Sequence, residues 1–106
     1  MVPGAISVLN KTGVEFLMES GAGTAAGFPD SEYTEKGVRL AANREEVFRT
    51  AEVMVQVRGP GANPESGAAD LALMRSGQTA IGFGEALTAG DAAQSLAERG
   101  VNFLAM

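Results

Sequence analysis

The sequence contains no cysteine and no histidine. Their absence excludes disulfides, zinc sites built from the usual ligands, thiol nucleophiles, imidazole bases and Ser-His-Asp triads. Lack of cysteine also fits a reducing compartment. Basic residues are scarce, 8 against 13 acidic ones, which leaves a net charge of −5. That balance argues against non-specific binding to nucleic acid or to an anionic membrane. No apolar run approaches the ~20 residues that span a bilayer, and no signal-peptide pattern stands before the first expected helix. What is present has a globular composition: 106 residues, 45% hydrophobic and 20% charged. Such a chain makes one domain with one modest core.

The organising feature is a recurring junction. A helical pattern stops at a glycine and a short β-branched or aromatic run follows at once. It occurs at Gly13 before Val14–Met18, at Gly37 before Val38–Leu40, at Gly77 before Gln78–Ile81 and at Gly100 before Val101–Leu104. Glycine past a helix end supplies the left-handed turn that other residues adopt at a cost. Strands alternating with helices indicate a parallel α/β sheet. Val53-Met54-Val55-Gln56-Val57 is apolar almost throughout and reads as the central strand. Met18, Met54 and Met74, with Phe16, Phe83 and Phe103, read as core. Pro3 suits a first helical position. Asp30 is expected to cap the segment Ser31–Lys36. Asn43 with Glu46, and Thr88 with Asp91, have capping-box spacing, and Ser66 can start a helix carrying Leu71 and Met74 inward. The Gly59–Pro64 stretch is a loop.

A parallel sheet needs helices on both faces. Here no strand precedes the first helix and no helix follows the last strand. The expectation is a domain cut from something larger, truncated at both ends. The alternative is a minimal domain that covers its open surface by oligomerising.

Few constellations carry chemistry. Gly21-Ala22-Gly23-Thr24-Ala25-Ala26-Gly27 follows a strand and looks like a dinucleotide loop. Such a loop must open directly into a helix whose N-terminus holds the phosphate. Phe28-Pro29-Asp30 follows instead, so a tight connection against the sheet edge is the better reading. Arg58 ends the Val53–Val57 strand, where open α/β sheets bind ligands, and a guanidinium there can hold a carboxylate or phosphate. Glu85 follows the Ile81–Phe83 strand at the same edge, to pair with Arg58 or to face solvent. Glu45 and Glu46 read as a solvated helix face. Neither a receiver-type phosphorylation site nor a Walker-type G-K-[ST] sequence is present.

Glu19-Ser20-Gly21-Ala22-Gly23, Ala26-Gly27-Phe28, Tyr33 and Val55-Gln56-Val57-Arg58-Gly59-Pro60 resemble, in that order, the N-terminal domain shared by alanine dehydrogenase and NAD(P) transhydrogenase. Ile81-Gly82-Phe83, Leu96-Ala97-Glu98-Arg99-Gly100-Val101 and Leu104-Ala105-Met106 continue the resemblance across residues 1–106. It implies a three-layer, flavodoxin-like (Rossmann-like) parallel sheet. It implies that a strand and an R-V-A segment come before this stretch. A separate domain carrying the nicotinamide-binding glycine fingerprint comes after it. The stretch itself then holds no cofactor, while NAD and NADP belong to the full enzyme.

Within the family, alanine dehydrogenases use a histidine where this sequence has Glu85, and a lysine where it has Arg58. The missing histidine makes the chain more similar to the transhydrogenase α subunit. The resemblance then implies an enzyme that moves hydride between NAD(H) and NADP(H), coupled to proton translocation. It also implies a homodimer through the full subunit, membrane-embedded partner subunits, and a cytoplasmic location peripheral to the inner membrane. Arg58 and Glu85 are the candidate anion or cleft contacts, with no catalytic or metal-binding residue in the stretch. Alone, the stretch is expected to be inactive. The alternatives are the corresponding domain of an alanine dehydrogenase-like enzyme, or a stand-alone, non-catalytic α/β interaction module.

Overall fold

Each junction glycine adopts the left-handed backbone that lets a helix end and a strand begin: φ is 81° at Gly13, 89° at Gly37, 88° at Gly77 and 71° at Gly100. The structure is a computed structural model and describes residues 1–85 and 89–106. The chain divides into two compact units, Met1–Val47 and Phe48–Met106.

The first unit contains α1 (Pro3–Leu9), β1 (Leu17–Glu19), α2 (Asp30–Thr34) and β2 (Arg39–Ala41). Pro3 opens α1 as expected. Strands β1 and β2 pair in parallel, with Leu17 opposite Arg39 and Glu19 opposite Ala41. Ile6, Tyr33 and Val38 form the buried core, with Phe16, Met18 and Phe28 packed against it. The next helix, α3 (Arg44–Thr50), starts with the expected cap. Asn43 Oδ1 accepts the Glu46 N–H at 2.9 Å. The return arm reaches one residue further back, because Glu46 Oε2 accepts the Ala42 N–H at 2.6 Å. Glu46 also pairs with Arg39 at 3.0 Å. It therefore fastens β2 to α3 instead of lying on a solvated face with Glu45.

The second unit carries β3 (Val53–Arg58), α4 (Gly67–Leu73), β4 (Thr79–Phe83), α5 (Gly90–Glu98) and β5 (Asn102–Ala105). All strands are parallel, in the order β3-β4-β5. Phe48, Met54, Met74, Ala80, Leu96 and Val101 are its buried core, and Leu71, Leu73 and Phe103 pack against them. The parallel α/β class is as expected, with three differences.

The strands form two separate sheets, and β4 rather than β3 is central to the three-stranded one. An unbroken apolar run reads as a strand buried on both faces, but only Met54 of β3 is buried. Phe83, expected in the core, is 49% exposed. It ends β4 on the face opposite Ala80 and Gly82, and those two small residues are the ones turned inward. Asp30 is the first residue of α2, not its cap, and its carboxylate turns back to the loop before it. The capping pair Thr88–Asp91 lies outside the described residues because Thr88 does.

One polar side chain sits inside the second unit without penalty. Gln78 is 3% exposed. Its amide nitrogen donates to the Phe48 carbonyl at 2.6 Å and to the Ala51 carbonyl at 2.8 Å. Its oxygen accepts the Arg75 N–H at 2.6 Å. One residue thus satisfies the last turn of α3 and the turn before β4. Gln78→Leu keeps the bulk and strands three backbone groups. The expected loss is about 2–4 kcal/mol, read as a lowered urea midpoint with an unchanged slope. An unchanged midpoint would mean that these groups find other partners.

Candidate functional site at the carboxyl ends of the strands

In the second unit β3 runs to Arg58, which lies opposite Phe83 of β4. Glu85 follows two residues later, so both candidate residues stand at the carboxyl end of one sheet. Both are exposed. Among the described residues Arg58 makes no ion pair, and its charge is available to a ligand. Glu85 is the one non-glycine described residue with positive φ, 49°. The chain leaves β4 in a left-handed turn there, a conformation that costs on the order of 1 kcal/mol and recurs at functional loops. The segment compared with the family at Gly84–Leu87 is described only to Glu85.

The floor beneath these residues is backbone against backbone. A Cβ on Gly82 would lie against the Gln56 carbonyl oxygen, and a Cβ on Gly61 against the Gly84 carbonyl oxygen. The loop after β3 and the loop after β4 come together at Gly61 and Gly84. Phe103 of β5 fills the space under both, within contact of Gly59 and Gly84. The β3–β4 pairing slips by one residue between Val55 and Arg58. Such a bulge twists the end of β3 and re-aims the side chain that follows it.

Sequence reasoning missed a buried polar pair behind this edge. Asp70 of α4 is 1% exposed, and its carboxylate accepts the Gln56 amide at 3.1 Å. The signal was available: Gly67, Asp70, Leu71 and Met74 share one helix face, so an acid falls on the stripe that faces the sheet. The pair ties α4 to β3 two residues before Arg58.

The glycine loop of the first unit does not fit a dinucleotide. Residues Thr24–Ala26 make a single 3-10 turn, Gly27 turns left-handed, and Pro29 precedes a helix of only five residues. The Tyr33 ring fills the space beside Gly23. The Asp30 carboxylate already takes the Ser20 hydroxyl at 2.6 Å and the Gly21 N–H at 2.8 Å. An acid occupies the place where a phosphate would need amides and positive charge. Nor is the hollow of about 470 Å³ lined by Asn10, Glu15, Phe16 and Arg39 a candidate. It opens at the amino ends of β1 and β2, opposite the ends where such sheets bind ligands. Among the described residues no group of three or more metal-ligating side chains occurs.

Ser20 first, and the Gly21 amide second, hold the Asp30 carboxyl below its ordinary value of 3.8. Both hydrogen bonds favour the ionised form. The stabilisation is present above the unfolded value and is lost as pH falls through the lowered folded one. Asp30→Asn is therefore expected to lower the thermal midpoint at pH 6, with the gap to wild type closing below about pH 4. A gap that stays constant down to pH 2 would contradict the assignment.

A family model described as alanine dehydrogenase/PNT, N-terminal domain, matches residues 1–106. The chain is 36% identical over 83 residues to the NAD(P) transhydrogenase subunit alpha of Cereibacter sphaeroides, covering 78% of this chain and 15% of that protein. It is 29% identical over 105 residues to the alanine dehydrogenase of Bacillus subtilis (strain 168), covering 99% of this chain and 26% of that one. The crystal structure of transhydrogenase from Sinorhizobium meliloti superposes with a TM-score of 0.85 at 26% identity, over 98% of this chain and 29% of that chain. The chain thus spans under a third of the length of each relative, and it shares their Rossmann-like fold.

Proposed function

We propose a function on one premise: the chain belongs to the alanine dehydrogenase/PNT N-terminal domain family. It serves as the N-terminal domain of an NAD(P) transhydrogenase α subunit. The whole enzyme moves hydride between NAD(H) and NADP(H), coupled to proton translocation through membrane-embedded partner subunits. The observation that carries this reading is Glu85. In the sequence resemblance this position bears the histidine of alanine dehydrogenases, and no histidine occurs anywhere in the chain. A 2-oxo acid bound here would meet no imidazole to hand it a proton.

The described residues offer no dinucleotide site that fits, so hydride chemistry belongs to cofactors held by other parts of the full subunit. The contribution of this domain is a wall of the cleft. Arg58, which makes no ion pair among the described residues, presents its guanidinium to the anionic parts of whatever occupies it. Glu85 flanks it just past the end of the neighbouring strand β4. The glycine floor keeps both loop backbones low, and Gln56–Asp70 holds the end of β3 against α4. By the same reading the full subunit is a homodimer, located in the cytoplasm at the inner membrane.

Exchange of matching segments tests the proposal. Residues 1–106 replace the aligned stretch of the C. sphaeroides α subunit in one protein and of the B. subtilis alanine dehydrogenase in another. With its other subunits present, the first is expected to keep hydride transfer to within about tenfold of its parent. The second is expected to fold and lose pyruvate-dependent NADH oxidation. Activity retained in the alanine dehydrogenase and lost in a folded transhydrogenase would reverse the assignment. Loss in both folded proteins would favour a non-catalytic module.

A further inference from the structure

We propose that Phe103 of β5 is a positioning residue of the carboxyl edge. Its ring holds the main chain beside Arg58 and beside Glu85, and so sets the alignment that this domain gives to whatever the cleft holds. This role rests on the cleft-wall reading proposed above: the wall serves to align, and Phe103 is the side chain that fixes it.

The ring meets the main chain of both loops at the residues next to the two candidate contacts. Gly59 follows Arg58, and Gly84 precedes Glu85. A Cβ at Gly59 would lie 2.9 Å from Phe103 Cε2. A Cβ at Gly84 would lie 2.9 Å from Phe103 Cζ and closer still to Cε1. Backbone conformation asks for glycine at neither place. Gly59 has φ −75° and ψ −177°, an extended geometry open to any residue, and Gly84 is not among the glycines with positive φ. Their missing side chains are therefore explained by the ring. Two small residues and one large one make a single packing unit, in which the ring takes the volume that both glycines give up.

The ring has a firm base and a clear path. Phe103 packs against the buried core of the second unit. It lies opposite Ala80 in the β4–β5 register, and Gly82 follows on the same face of β4. These small residues let an aromatic side chain on β5 reach across β4 to the end of β3. A second contact holds the two strand ends sideways: the Gly59 N–H donates to the Phe83 carbonyl at 2.8 Å. The hydrogen bond joins the two ends to each other, and the ring supports both from the core. A phenyl ring suits this task, since two torsion angles place it and core packing locks them.

Nitrogen relaxation of the labelled chain tests the placement, and turnover of the C. sphaeroides chimera tests its consequence. Phe103→Ala empties the space under both loops. Phe103→Leu withdraws the ring and keeps apolar contact with the core. In either variant the amide order parameters of Gly59 and Gly84 are expected to fall from about 0.85 to below about 0.6, with those of Met54 and Ala80 unchanged. Phe103→Leu with Gly84→Ala is expected to restore them, because leucine lacks the ring carbons against which that methyl group would press. In the chimera Phe103→Leu is expected to lower kcat more than about tenfold and to move KM for NADH less than about threefold, since alignment is lost and binding is not. Rigid loops in a folded Phe103→Leu chain would overturn this role, and so would loosened loops with unchanged kcat. A chimera that transfers no hydride before any substitution would contradict the cleft-wall reading, and the relaxation result alone would then decide whether Phe103 positions the loops.

Discussion

Two loops at the carboxyl end of a parallel sheet pass closer together than a methyl group permits, and the candidate site rests on that approach. The loop after β3 meets the loop after β4 through Gly61 and Gly84, and β4 itself meets the Gln56 carbonyl through Gly82. Glycine at these places serves proximity, not conformational freedom. None of Gly61, Gly82 and Gly84 has the positive φ of the helix-end glycines. Because the floor is backbone, the ends of β3 and β4 are held in fixed relation. Arg58 and Glu85 then leave the same edge from a rigid base. Such a base suits a wall that positions something held elsewhere better than it suits chemistry of its own.

Much of the fold was legible from short-range signals. The four junction glycines marked the helix ends, since a left-handed residue without a Cβ is a local requirement that tertiary context seldom overrides. Pro3, and Asn43 with Glu46, were readable for the same reason: a cap is satisfied within one turn. What the sequence concealed depends on neighbours distant along the chain. Strand order is one case. Val53-Met54-Val55-Gln56-Val57 has the composition of a central strand, but its position is decided by which strand offers a second edge, and β4 offers both. The exposure of Phe83 follows from the same register, because alternation from Ala80 and Gly82 sends it outward.

The candidate site was legible in part. Arg58 and Glu85 could be placed at one edge because strand ends are predictable and the rule for open α/β sheets is general. The Gln56–Asp70 pair was not, although Asp70 falls on an apolar helix stripe, because an acid on such a stripe commonly marks a helix end near solvent. The close glycine contacts were invisible, since they join loops more than twenty residues apart. Asp30 shows the reverse error. A capping residue type in a capping position was read as serving the helix after it, and its carboxylate instead fastens the loop before it. That same contact closes the dinucleotide reading of the glycine loop.

The central claim is that backbone contact through glycine sets the carboxyl edge. Gly82→Ala tests it most directly, because the substitution adds one methyl group and changes neither charge nor φ. If the claim holds, the added carbon must push β4 from the Gln56 carbonyl. The chain should then lose more than about 2 kcal/mol of unfolding free energy in urea, in the upper part of the range for an overpacked site. Unfolding free energy equal to or above that of wild type would contradict the account, since the two strands would then have room between them.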